Sequence, residues 1–144
     1  MAKAHIDRWK AYMESHSAEA LDAILADDVV FLSPIVHTPQ RGKAITMAYL
    51  MAAGEVLGND SFTYVGEWGN DTGCVLEFET EIDGIKVNGI DMITFGPDMK
   101  ITAFKVMVRP LKAIEKVHAM MGEMLLRMAP GKAQASPGDS PASS

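Results

Sequence analysis

The sequence predicts an α+β domain. Three observations carry that expectation. Apolar residues recur at spacings of three and four up to residue 57, the period changes to two from residue 61, and the later segments are joined by short turns. Three helices around one short strand, then a four-stranded meander, then a last helix, is an order that packs helices on one face of a curved antiparallel sheet.

Each element has its own local reason. In 3–16, Ile6, Trp9 and Met13 form an apolar stripe, with Asp7, Arg8, Lys10 and Glu14 off it. Ser17 is the expected N-cap of a helix over 18–26, Glu19 suits its first turn, and Leu21, Ile24 and Leu25 are its buried face. Asp27 and Asp28 are expected to end it. Val29, Val30, Phe31 and Leu32 read as a short strand, and 33–42, with Pro34 and Pro39, as a loop. The segment 43–57 is apolar almost all round and should be a helix covered on most sides.

Strands are expected over 61–68, 73–83, 86–96 and 100–109, with turns at Gly69-Asn70-Asp71, Asp83-Gly84 and Gly96-Pro97-Asp98. Short connections imply antiparallel pairing. In 73–83, Cys74, Leu76, Phe78 and Ile82 share one face, and Glu77, Glu79, Glu81 and Asp83 share the other, where Lys105 and Arg109 are expected to meet them across strands. Pro110 should open a C-terminal helix and Pro130-Gly131 should end it. Ile114, Val117, Met121, Met124 and Met128 give that helix a heptad seam, which packs back on its own sheet, lids the pocket or meets a partner helix.

Composition narrows the function classes. The chain has 144 residues, which suits one domain over 1–128 and a Pro-, Gly- and Ser-rich tail over 129–144 expected to be disordered. Apolar runs fall short of the roughly 20 residues of a membrane span, and the N-terminus lacks the apolar core of a secretory signal. A single cysteine leaves no internal disulfide and no cysteine-based metal cluster, so a reducing cytoplasm is the expected compartment. The net charge of −6 argues against nucleic acid and anionic membranes as partners. Eleven Met stand against 5 Phe, 3 Tyr and 2 Trp, which gives a soft, adaptable interior.

The stretch Leu25-Ala26-Asp27-Asp28 into a strand, then Ser33-Pro34, Pro39, Arg41-Gly42-Lys43 opening a helix, Gly89-Ile90-Asp91 and Lys100-Ile101, resembles the nuclear-transport-factor-two-like superfamily, and within it the SnoaL-like proteins. The resemblance covers about residues 3–110. It implies a cystatin-like cone, a strongly bent antiparallel sheet wrapped around a helix and enclosing an apolar pocket. It also implies a homodimer, since relatives often pair through the outer sheet face. Members include ketosteroid isomerase, polyketide cyclases, epoxide hydrolases and non-catalytic modules, so fold alone does not deliver function.

Carried over by position from ketosteroid isomerase, the oxyanion tyrosine falls at Trp9, the base aspartate at Ser33 and the protonated aspartate at Asp91. Only Asp91 is kept. An indole can donate a hydrogen bond, but a serine cannot serve as that base. Limonene-epoxide-hydrolase-like members place an Arg two residues before a strand Asp, where this chain has Gly89. Scytalone-dehydratase-like members use strand histidines, whereas His5, His16, His37 and His118 fall on expected helices and loops.

Asp91 is the candidate of greatest weight. If the face carrying Val87, Gly89, Ile93 and Phe95 lines the cone, its carboxyl is desolvated and becomes a general acid or hydrogen-bond donor. With the faces reversed, it pairs with a surface lysine; between the two lies a buried aspartate satisfied by backbone. His37, in the loop near the expected pocket mouth, is either a base or a solvated side chain. A Ser33–His37–Asp91 triad can be written down, but no strained elbow exposes the serine. Trp9, Tyr12, Tyr49 and Trp68 each offer a polar tip to a cavity or to backbone and water. The acids of 77–83 have neither the spacing nor the histidines of a metal site, so no metal is expected; the resemblance to SnoaL-like enzymes implies no cofactor. The expected pocket is lined by Phe31, Met47, Met51, Phe78, Ile93 and Phe104, with Asp91, His37 and Trp9 as its chemistry. It would take a small apolar ligand, either in a cofactor-independent isomerase, dehydratase, cyclase or epoxide hydrolase or in a non-catalytic module that holds the ligand or dimerises.

Overall fold

The computed structural model describes residues 2–128. In chain order the elements are α1 (Ala2–Ser15), α2 (Ala18–Ile24), β1 (Leu25–Leu32), β2 (Gln40–Arg41), α3 (Lys43–Leu57), β3 (Thr63–Gly69), β4 (Gly73–Ile82), β5 (Ile85–Phe95), β6 (Ile101–Arg109) and α4 (Leu111–Met128). The strands form one open six-stranded sheet in the order β2-β1-β6-β5-β4-β3. The expected helix end at Pro130-Gly131 and the tail lie outside the described residues.

Chain reversals follow local chemistry. α1 stops where His16 takes a left-handed φ of 53°, and Ser17 caps α2 by accepting from the Ala20 amide at 3.1 Å. The β4–β5 hairpin turns on Asp83 and Gly84, both at positive φ (50° and 82°), which matches the twist of the flanking strands. Lys43 ties α3 to the end of α2, bonding the Asp22 carbonyl at 3.0 Å and the Asp22 and Asp27 carboxylates at 3.3 Å each.

Four expectations need correction. The sheet is mixed, because β1 runs parallel to β6, with Phe31 opposite Phe104. Parallel pairing is available because the whole of α3 and the meander separate the two strands. α2 ends at Ile24, before Asp27 and Asp28, and the strand begins at Leu25, so those acids lie in β1 next to a register shift between Leu25 and Val30. Gln40–Arg41, expected as loop, pairs with Val30 and Phe31 and covers the sheet edge. Lys105 and Arg109 cannot meet the β4 acids directly, since β5 separates the strands. Arg109 instead reaches Asn88 Oδ1 at 3.2 Å, and Asn88 donates to Glu77 Oε2 at 3.0 Å.

All large helices pack on one sheet face. One apolar cluster joins Trp9, Leu50, Leu76 and Phe104, and a second joins Val56, Phe78, Ala113 and Val117. α4 therefore closes back on its own α3 and sheet. Among the described residues, no helix is long and apolar enough to cross a membrane.

Candidate functional site

Two cavities of about 50 Å³ each lie between the helices and the inner sheet face. The first is lined by Trp9 and Met13 from α1, by α3, and by Phe78, Asp91, Phe104 and Val106 from the sheet. Asp91 is 8% exposed and lies at the middle of β5, opposite Leu76 on β4 and Val106 on β6. The inward face is therefore the one carrying Val87, Gly89, Asp91, Ile93 and Phe95.

Gly89 shapes the wall beside Asp91. A Cβ there would stand 2.5 Å from Phe78 Cζ and 2.6 Å from the Met107 carbonyl oxygen. Only the missing side chain lets the Phe78 ring lie across β5.

A chain of hydrogen bonds runs from α1 to the carboxylate. Trp9 Nε1 donates to the Tyr64 hydroxyl at 2.9 Å, and that hydroxyl donates to Asp91 Oδ2 at 3.1 Å. The order is forced, because an indole N–H can only donate. Trp9 is fixed by its tilted contact with Phe104, ring centroids 4.8 Å apart. Tyr64 is held edge-on to Phe62 at 5.1 Å. Lys10 lies 5.8 Å over the Tyr64 ring and pairs with Glu67, which fastens β3 to α1.

Burial pushes the Asp91 carboxyl up to about 7, and the Tyr64 hydrogen bond holds it from going higher. Tyr64 is driven well above the usual phenol range by burial and by the Asp91 charge. Burial, with the Asp91 and Glu67 charges, pushes the neighbouring Cys74 thiol up to about 11, which makes it a poor nucleophile at neutral pH. Near neutrality Asp91 is thus populated in both protonation states, the condition a proton carrier needs.

The other sequence-derived residues divide clearly. Trp9, Phe78, Phe104 and Asp91 come together at the first cavity, and Phe31 lines the second. Ile93 is packed in the core, and Met47 and Met51 lie half-buried against it; none of the three lines either cavity. His37 is exposed in the loop after β1 and lines neither. The Ser33 oxygen accepts from the Ile35 and Val36 amides at 2.9 and 3.4 Å, so it serves the turn rather than a triad. Among the described residues, no three His, Cys, Asp or Glu side chains converge as a metal site requires.

Sequence reasoning missed Tyr64. A register shift between Tyr64 and Gly66 turns the strand over, so Tyr64 faces inward while Trp68, of the same parity, is 57% exposed on the outer face. The signal available in sequence was the Phe62/Tyr64 pair at period two, which the bulge hides from any count along the whole strand.

With this geometry, the chain aligns over most of its length with a steroid delta-isomerase from Pseudomonas aeruginosa at 29% identity and a TM-score of 0.83, covering 90% of this chain and 94% of that one. Its fold is shared with solved proteins described as cystatin-like and as nuclear-transport-factor-two-like. An uncharacterised cystatin-like protein from Silicibacter pomeroyi DSS-3 matches at 24% identity and TM-score 0.75, over 90% and 88% of the two chains. A SnoaL-like protein of unknown function from Burkholderia thailandensis matches at 17% and 0.62, over 76% and 95%. No family model and no curated protein matches the sequence.

Proposed function

We propose that this protein is a cofactor-independent enzyme that moves a proton on a small, mostly apolar molecule, an isomerase in the first instance, with Asp91 as the acid and base. The reading is carried by one observation: a buried carboxyl, which burial holds well above the usual carboxylate range, lines an apolar cavity and takes its side-chain hydrogen bond from a neutral hydroxyl. Such a group is costly to keep unless it has work to do.

Tyr64 occupies Oδ2, which leaves Oδ1 for the substrate. The carboxylate form takes a proton from a carbon made acidic by a neighbouring carbonyl. The resulting carboxylic acid returns that proton to a different carbon, and the double bond shifts with no atom gained or lost. The isomerase name of the Pseudomonas aeruginosa neighbour supports this class. A steroid is not assumed, because Ser33 stands where the isomerase base would be and the cavity, about 50 Å³, is far below the roughly 300–1,000 Å³ of drug-sized sites.

The test is a β,γ-unsaturated ketone assayed by absorbance of the conjugated product and by exchange of its acidic proton for solvent deuterium. Wild type should turn it over, with a pH profile bending near 7, and Asp91→Asn should lose turnover by roughly 10²–10⁴-fold while still binding the ketone. Binding without turnover or exchange in the wild type would leave a module that only holds its ligand.

A further inference from the structure

The second cavity lies under α4. Its walls are Ile35 and Val36 from the loop, Phe31, Val108, and Met121 and Leu125 from α4, and it too measures about 50 Å³. Its floor is shared. Ala53, Leu57 and Val106 line both cavities, so a partition one side chain thick separates this space from Asp91. Ala53 carries only a methyl group, so the partition rests on the side chains of Leu57 and Val106.

The two spaces differ in chemistry. The first has Asp91 held by a chain of donors. The second has an apolar lining, with the Ser33 oxygen already taken by backbone amides and Tyr49 and His118 as its remaining polar groups. An anionic head beside Asp91 would meet like charge in a desolvated site.

We propose that the two cavities are compartments of one binding site, and that its ligand is a neutral, elongated aliphatic carbonyl compound with its polar group at Asp91 and its tail beneath α4. This rests on the acid–base reading above for the position of the head group. It adds that chain length, sensed by α3 and α4, selects the substrate.

The test is an NMR titration of the whole chain with methyl alkyl ketones from butanone to decanone. Each added methylene should tighten binding by about fourfold until the compartment is full. Met121→Phe, which fills the second compartment from α4, should abolish that gain. Leu125→Phe is the second variant should the first fail to fold. Decanoate should bind more weakly than decanone. A flat dependence on chain length in the wild type, or an undiminished gain in the filled variants, overturns the proposal. Turnover with a flat dependence leaves the acid–base reading standing and removes this one. A chain-length gain with no turnover retains the shared compartment and removes the acid–base reading.

Discussion

The Tyr64 hydroxyl donates to Asp91 Oδ2 across 3.1 Å, and its direction is set from the far side, because Trp9 Nε1–H occupies the Tyr64 oxygen at 2.9 Å. Tyr64 is therefore a one-way donor to the carboxylate. It stabilises the charged form of Asp91 against a burial that opposes it.

Tyr64→Phe should for that reason raise the Asp91 titration above its value of about 7, since the one hydrogen bond holding it down is removed. It also strands the Trp9 indole N–H, at a cost of about 1–3 kcal/mol. A carboxyl NMR titration reads the first effect and a urea melt the second. An Asp91 titration unmoved or moved downward would show that the hydroxyl does not govern the carboxylate.

Asp91→Asn should stabilise the protein in alkaline solution. The folded-state value of about 7 lies above the ordinary 3.8, so the folded chain holds a proton that the unfolded chain has released across that interval. The contribution of Asp91 is fully present below 3.8 and is lost as pH rises through about 7. Replacing it with a neutral isostere removes a penalty on the order of a few kcal/mol at high pH and nothing at low pH. Paired melts of variant and wild type across that range should diverge upward with pH. A constant offset would contradict the burial cost.

Much of this site was legible in sequence, and its gaps have physical causes. Alternation along Val87–Phe95 put Asp91 on an apolar face, and the three-and-four spacing of Ile6, Trp9 and Met13 aimed Trp9 at the same place. Tyr64 was hidden by a bulge, which reverses the faces within one strand and leaves no trace in period-two counting. The parallel β1–β6 pair was hidden for a different reason: sequence periodicity describes each strand, whereas pairing across some seventy residues is decided by packing. Met47 and Met51, assigned to the pocket from the apolar character of α3, lie against the core because that helix is apolar on nearly every side and its pattern names no single face.

Gly89→Ala should destabilise the fold by about 1–3 kcal/mol and disturb the Asp91 cavity. Its new methyl would meet the Met107 carbonyl at 2.6 Å, which cannot yield, and Phe78 Cζ at 2.5 Å, which can. Adding Phe78→Leu should therefore recover only part of the loss. Full recovery in a thermal melt would place the whole conflict in the ring.

His5 should give the molecule its acid-side weakness. It is 4% exposed, stacks on Phe95 with centroids 3.8 Å apart, and its Nδ1 has no hydrogen-bond partner. Burial, then the positive charges of the chain's N-terminus and Arg8, push it below 6.5, so the fold favours its neutral form. The unfolded chain takes up this proton first as pH falls, and stability from His5 is present above 6.5 and lost below it. The slope is opposite to that of Asp91, which gains stability on acidification through about 7. His5→Leu keeps an apolar contact with Phe95 and removes the titration, so its stability relative to wild type should rise as pH is lowered from about 7 to about 5. The double variant with Asp91→Asn should lose both contributions, and melts of all four proteins over that range separate them. An advantage of His5→Leu that shrank on acidification would mean that His5 gains rather than loses proton affinity in the fold.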